Sequence, residues 1–352
     1  MRVVVFPADS AACGHNRIVW PSNVLQAQGV NIYIVPPKGD TGFLIKTEEQ
    51  PDGSQRLIQL TAPDCDVVVL QRPSHELQPQ LIRALRSAGI AVVVDMDDDM
   101  STVHPGNVAF RNYHTKSRTP FSWRTAFEAC KEATLVTTST TALQKTYAKH
   151  GRGMVLDNFI PEVVLNPDFV QPAADGFGWA GTLKSHPDDL HAARGVQALV
   201  DDGFPLRIVG DGKGVKEALK LNRDVEATGL VNLDVWCKTI AATYSVGMVP
   251  LAPTVFNTAK SRLKGIEHMA VGVPWVASPR AEYRRLNRES GCGFLADTPK
   301  EWVGHLRRLL TDEVLRKEQA EMGREFMKDQ TYQAQAWRWQ EAWTRALEIQ
   351  RG

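Results

Sequence analysis

Short runs of β-branched residues alternate with amphipathic segments through this chain, and that alternation leaves few folds open. A buried strand reads as a brief continuous apolar run and a covering helix as a 3.6-residue stripe; the two in turn give a parallel sheet with helices on its faces. In the first half, strands are expected at Val3–Phe6, Asn31–Val35, Val67–Leu70, Ala91–Asp95, Leu135–Thr138 and Met154–Leu156. Helices are expected between most of them, among them Arg17–Gln28 before Gly29 and Leu77–Ala88 before Gly89. The stretch Phe43–Leu60 interrupts the pattern and reads as a β-hairpin around Pro51-Asp52-Gly53-Ser54.

The alternation lapses over Phe159–Gly176, which carries three prolines, and restarts at Phe177. Further strands are expected at Leu206–Val209, Val225–Thr228, Val246–Leu251, Pro274–Ala277 and Gly293–Leu295. From Lys300 the tail is helical and rich in Trp, with Trp302, Trp337, Trp339 and Trp343. The expectation is two doubly wound, Rossmann-like α/β domains facing each other across a cleft, residues 1–158 and 177–330, joined by a linker at 159–176 and followed by a last helical segment at 331–352. A length of 352 residues suits that division. Ligands of open parallel sheets bind beyond the carboxyl ends of the strands, so chemistry is sought in the loops that follow them.

Composition narrows the partners. Forty-one Lys and Arg against 40 Asp and Glu leave a formal charge of +1, with no bulk signature of nucleic-acid or anionic-membrane binding. The five cysteines are scattered and contain no CxxC pair, which favours neither a zinc ribbon nor a disulfide framework. The start, MRVVVFPADS, is too short an apolar run for a signal peptide, and no stretch nears the ~18 apolar residues of a membrane span. A reducing cytoplasm is the expected compartment.

Charge disagrees with secondary structure in the segment Phe256–Ala270. Asn257 or Thr258 reads as an N-cap, Leu263, Ile266 and Ala270 as a buried stripe, and Gly272 as the stop. The first turns then carry Lys260, Arg262 and Lys264, the wrong sign for a helix start, where negative charge is favoured by ~0.3–1 kcal/mol. A bound anion would resolve the conflict, since free N–H groups at a helix start cradle phosphate. Glu267, one turn on, is then placed to reach a ribose diol. The plainer reading is a solvated helix with a basic first turn.

A second conflict is Asp95-Met96-Asp97-Asp98-Asp99. Four carboxylates at a strand's carboxyl end repel one another. Capping of the next turn, orientation of a substrate hydroxyl by Asp97 or Asp98, and a hard metal ion held by Asp97 and Asp99 are the three readings. Arg17, in the loop Gly14-His15-Asn16-Arg17, either meets an anionic or hydroxyl-bearing ligand or simply opens a helix. Val209-Gly210-Asp211-Gly212-Lys213-Gly214 lacks the GxGxxG spacing and reads as a tight turn. His186 and His191 lack HExxH spacing, His104 and His114 lie in the long loop after the acidic run, and Ser139 and Ser278 have no identifiable triad.

Several segments carry a resemblance. Phe177-Gly178-Trp179-Ala180-Gly181-Thr182-Leu183-Lys184-Ser185-His186-Pro187-Asp188-Asp189-Leu190 is similar to the "GT-x-SH-x-x-D" opening of the second domain in a group of GT-B glycosyltransferases, akin to their family 4. Ser245–Leu251 is similar to the "DVxLxPL" strand of that group, Val92–Asp98 to its "VVYDIDD" run, and Phe256–Ser278 to its "FNxxKSxLKxxExxAxGxPVVAS" donor motif. The resemblance spans both domains and is firmest over residues 177–296. It implies glycosyl transfer from a nucleoside-diphosphate sugar, a co-substrate, to an acceptor hydroxyl, with retention and with no cofactor or obligatory metal. Carried over by position, Gly181, Thr182, Lys184, Lys260, Ser261 and Lys264 hold the donor diphosphate, Glu267 the ribose, and Lys264 with Asp97 and Asp98 the chemistry. Arg17, His114, His186 and Asn257 are further cleft candidates. The final helix, with Trp337 and Trp343, is expected to return to the first domain, as in that family. Two departures stand out: Ala259 occupies the place of a family acid, and Thr182, Lys184 and His186 replace a family Arg and Lys pair. Competing readings are a sugar-nucleotide epimerase or hydrolase on the same scaffold, a nucleotide-sugar-binding protein without catalysis, and a metal-dependent transferase.

Overall fold

The computed structural model describes residues 1–36, 42–114, 120–169 and 174–352, so residues 170–173 of the expected linker lie outside the described residues. In the first half the strands are β1 Arg2–Phe6, β2 Asn31–Ile34, β3 Leu44–Glu49, β4 Gln55–Thr61, β5 Val67–Gln71, β6 Ala91–Met96, β7 Leu135–Thr138 and β8 Gly153–Val155. Six of them form a parallel sheet in the order β2-β1-β5-β6-β7-β8. β3 and β4 pair antiparallel as a separate hairpin, the one expected around Pro51–Ser54.

The second half repeats the architecture with β9 Phe177–Ala180, β10 Leu206–Val209, β11 Glu226–Ala227, β12 Val246–Val249, β13 Trp275–Ala277 and β14 Phe294–Leu295. Their order is β11-β10-β9-β12-β13-β14, again parallel. Apolar runs such as Val67–Leu70 and Ala91–Val94 are buried along their length because helices cover both faces. Strand boundaries fall within a few residues of expectation, and Gly29 and Gly89 sit just past their helices.

The chain then returns. The helix Trp337–Arg351 places Trp339, Ala342, Trp343 and Ala346 in the apolar cluster of the first sheet, against Val3, Val5, Val67 and Val69. That spacing of three and four is one helical stripe. Trp337, expected in this contact, lies off the stripe and is 53% exposed; Trp339 takes its place and donates its indole N–H to the Arg17 carbonyl at 2.8 Å.

Arg17 corrects a second expectation. Its helix starts earlier than expected, at Ala12, and runs to Ala27 through a π-helical stretch His15–Val19. This turns Arg17 inward, where it is fully buried and faces no cleft. Nε and an Nη donate to the two oxygens of Asp95 at 3.0 and 2.8 Å, and the other Nη donates to the Leu156 carbonyl at 2.6 Å and to Asn158 Oδ1 at 2.8 Å. Asp95 also accepts from Thr137 Oγ1 at 2.8 Å. The pair therefore fastens β6, β7 and the end of the first domain to its first helix. Arg17→Met should lower stability by about 3–5 kcal/mol, since it strands a buried carboxylate. The measurement is the urea midpoint, and adding Asp95→Asn to the same chain should recover much of the loss.

Candidate active site

In the second sheet the chain reverses direction of build between β9 and β12, and the loops after these two strands diverge. Such switch points are where open sheets bind ligands. The loop after β9 begins at Gly181, into which a Cβ would not fit: it would come within 2.7 Å of Trp179 and 2.9 Å of Lys264 Nζ. Gly210, after β10, has φ +125, and a Cβ there would lie 2.2 Å from the Gly181 carbonyl. The glycine-rich turn after β10 thus keeps its backbone against the Gly181 backbone, which requires a residue without a side chain.

The loop after β12 leads into the basic segment, which is not one helix. A short turn, Val255–Thr258, is capped by Thr254, whose hydroxyl accepts from Asn257 N at 3.1 Å. The longer helix begins only at Leu263 and runs to Ala270. A tertiary contact accompanies the break: the Ala259 carbonyl, which a continuous helix would give to the N–H of residue 263, accepts from Thr140 Oγ1 of the first domain at 3.0 Å. Neither Asn257 nor Thr258 is the cap, and Lys260 and Lys264 are not neighbours on one helix.

Two of the three cations are matched inside the protein. Lys260 Nζ lies 2.9 Å from Asp98 Oδ1 across the domain boundary, and Arg262 pairs with Glu289. Lys264 differs. It rises from the first turn of Leu263–Ala270, its ammonium sits 5.1 Å from the centre of the Trp179 ring, and among the described residues it has no ion-pair partner. Burial pushes its pKa down to about 8, against the opposing pull of Asp189 and Glu267. One turn on, half-buried Glu267 is pushed up to about 7 by burial, although a hydrogen bond with Trp236 and the charge of Lys264 act the other way.

Asp189 ties together the loops after β9 and β12. It is buried; one oxygen accepts from His186 Nδ1 at 2.7 Å, and the other accepts from Asn257 Nδ2 at 2.6 Å and from Ala252 N at 3.3 Å. Burial and nearby Lys264 bring His186 down to about 4, so the ring is neutral at pH 7. With Nδ1–H given to the carboxylate, Nε2 is left as an acceptor. His186 and Asn257 line a concavity of about 170 Å³ between this loop and residues 102–107 of the first domain.

The acidic run is divided among separate tasks. Asp95 holds Arg17, and Asp99 accepts from Ser101 N and from the Tyr147 hydroxyl, the latter at 3.3 Å. Asp97 receives Arg72 through both oxygens, and Asp98 bridges Arg72, at 2.9 Å, to Lys260. Burial raises the Asp97 pKa despite Arg72. Burial also acts upward on Asp98, but Lys260 and Arg72 outweigh it and its pKa falls. Among the described residues no three His, Cys, Asp or Glu side chains converge as metal ligands.

The remaining candidates divide. Ser261 Oγ accepts from Asn158 Nδ2 at 3.0 Å, another contact between domains. Thr182 Oγ1 accepts from Lys184 N at 3.3 Å, and Lys184 itself is exposed and paired with Asp211 at 3.2 Å. His114 ends the short helix Phe110–Tyr113 and packs on Phe110 at 4.5 Å. Arg72 and Asn158 went unremarked in the sequence, and Trp179 entered only as part of the segment Phe177–Leu190. A signal for Arg72 existed: it follows the buried run of β5 as Asp97 follows that of β6.

Residues 176–312 match the family described as "Glycosyl transferases group 1". No curated protein gives a significant sequence match. Among solved structures, Anabaena Alr3699/HepE, in complex with UDP and glucose, superposes with a TM-score of 0.63 at 15% identity, over 98% of this chain and 99% of that one. An Escherichia coli trehalose-6-phosphate protein bound with UDP-2-fluoro glucose gives 0.61 at 10% identity, over 100% and 99%. Sucrose-phosphate synthase from Thermosynechococcus elongatus gives 0.59 at 15%, over 99% and 100%. The family match covers the second domain, and the likeness to these structures shows the two-domain GT-B fold that they share.

Proposed function

We propose that the chain transfers a sugar from a nucleoside-diphosphate sugar to an acceptor hydroxyl, with retention at the anomeric carbon and without a metal ion. The observation that carries this reading is Lys264: a half-buried ammonium with no ion-pair partner among the described residues, at a helix start, beside Gly181 and Trp179. A half-buried cation without an ion-pair partner at a helix start, where the first N–H groups have no intrahelical acceptor, is the complement of a diphosphate. Gly181 and Thr182 lend backbone to the same anion, and Glu267 takes the ribose. Uridine diphosphate, present in two of the neighbours described, is the first ligand to test.

The reaction forms a bond from the acceptor oxygen to the anomeric carbon and breaks the bond from that carbon to the diphosphate oxygen, which leaves with the electron pair. Retention brings the acceptor in on the face of departure, so its proton passes to that same phosphate oxygen. Lys264 and the helix-start N–H groups stabilise the charge as it develops, a contribution often worth about 10²–10³ in rate per donor. Asp97 accepts a hydrogen bond from the incoming hydroxyl and orients it. Asp98, with one oxygen on Arg72 and the other on Lys260, joins the acceptor side to the donor loop. The commitment of both acids to organic cations supports the metal-independent reading. Five free cysteines, and no described helix long and apolar enough to cross a membrane, support the cytoplasm as its place.

Lys264→Ala should weaken UDP binding more than tenfold in a calorimetric titration, with a melting temperature equal to or above that of the parent. Unchanged affinity would place the diphosphate elsewhere. The pH dependence has a defined sign. Anion binding favours protonated Lys264, so affinity is full below its free value of about 8 and is lost as pH rises through it, by up to about tenfold per unit. That alkaline limb should vanish in Lys264→Met. With a chelator present throughout, Asp97→Asn should lower transfer at least a hundredfold while UDP affinity stays within about twofold. Equal losses would move the acid to the donor side, loss of parental activity in chelator would restore the metal reading, and donor turnover without any acceptor would favour an epimerase or hydrolase.

A further inference from the structure

A second cavity, of about 300 Å³, opens at the switch point of the first sheet, where the chain departs from β1 to β2 on one side and returns to β5 on the other. Its floor is the carboxyl ends of β1 and β5. Its walls are Phe6, Phe43, Ile45, Leu81, Tyr113 and Phe121, contributed by the hairpin, the helix Gln78–Ser87 and the segment after the acidic run. The size lies at the lower end of the ~300–1,000 Å³ of small-ligand pockets, which are typically apolar with a few placed polar groups. Ile45 and Phe121 are 47% and 41% exposed, so large apolar side chains reach solvent where they line this hollow.

The polar groups are as informative as the apolar ones. Gln71 is closed off, its oxygen accepting from Ala8 N at 2.9 Å and its amide donating to the Cys13 carbonyl at 3.1 Å. Arg72 is the charged group of the lining, beside the polar Ser74 and Gln78. It has φ +49, a left-handed conformation uncommon for a side-chain-bearing residue, and its guanidinium runs from the cavity to Asp97 and Asp98. Strained backbone of this kind clusters at functional sites. An apolar hollow therefore ends beside the carboxylate assigned above to orient the acceptor hydroxyl.

We propose that this cavity holds the apolar body of the glycosyl acceptor, so that the chain glycosylates a small amphiphile, a hydroxyl compound carrying an aromatic or short alkyl group, in preference to a free sugar. The proposal rests on the transferase reading. The test titrates UDP-saturated protein with octyl glucoside below its micelle concentration and with methyl glucoside. The octyl compound should bind at least tenfold more tightly. Ile45→Asp and Phe121→Ser, both at partly exposed positions compatible with folding, should each abolish most of that preference. Equal affinities for the two glucosides, or a preference that survives both substitutions, would overturn the proposal. Failure of the underlying reading shows separately, as the absence of any rise in melting temperature with UDP; an octyl preference without UDP binding would make the cavity a ligand site unconnected with transfer, and would equally overturn it.

Discussion

The contact on which this molecule turns is the chain of charge from Arg72 through Asp98 to Lys260. β6 delivers a cluster of carboxylates to the point where two domains meet, and carboxylates removed from water are costly unless each finds a cation or a donor. Arg17 takes Asp95 within the first domain, Arg72 takes Asp97, and the remaining oxygen of Asp98 is met, among the described residues, by a lysine from the other domain. The approach of the domains is thereby tied to electroneutrality at the acidic run. Hydrogen bonds from Thr140 to Ala259 and from Asn158 to Ser261 fix the same approach with directional geometry.

That arrangement sorts the cations of the basic segment by partner. Lys260 and Arg262 are each paired with a carboxylate within the protein, so their charge near a helix start says little about a ligand. Lys264 alone among them is left over a tryptophan face with its charge disfavoured by burial. A cation–π contact returns only ~0.5–2 kcal/mol, less than the desolvation of a buried ammonium. On the reading proposed above, a diphosphate at this position would offset that cost and raise the pKa of the ammonium toward its ordinary value.

The sequence made the sheets legible because buried parallel strands have no polar face to blur the pattern: Leu135–Thr138 and Leu206–Val209 are where their composition puts them. The return of the tail was also legible, in the spacing of Trp339, Ala342, Trp343 and Ala346, although Trp abundance alone drew attention to the exposed Trp337. The split of the basic segment was not. No Gly or Pro marks a break at Ala259; the carbonyl there is met by a hydroxyl from Thr140, distant in sequence. The inward turn of Arg17 escaped for the same reason, because its partners Asp95, Leu156 and Asn158 are gathered only by the finished sheet. Long-range polar contacts override local signals where they consume a group that the local signal assumed was free.

The two switch points are consequently of different chemical kinds. In the second sheet the diverging loops present backbone, a histidine acceptor and a lone ammonium, a surface suited to an anion and its hydroxyls. In the first they present aromatic rings and a hairpin whose apolar residues reach solvent, a surface suited to hydrocarbon. Arg72 belongs to both: its backbone closes the apolar hollow, and its guanidinium orders the acids that face Lys260. A reaction that joins a charged donor to an uncharged acceptor needs such a boundary, because a carboxylate at the edge of an apolar pocket meets little competing water and accepts most strongly from the one hydroxyl brought to it.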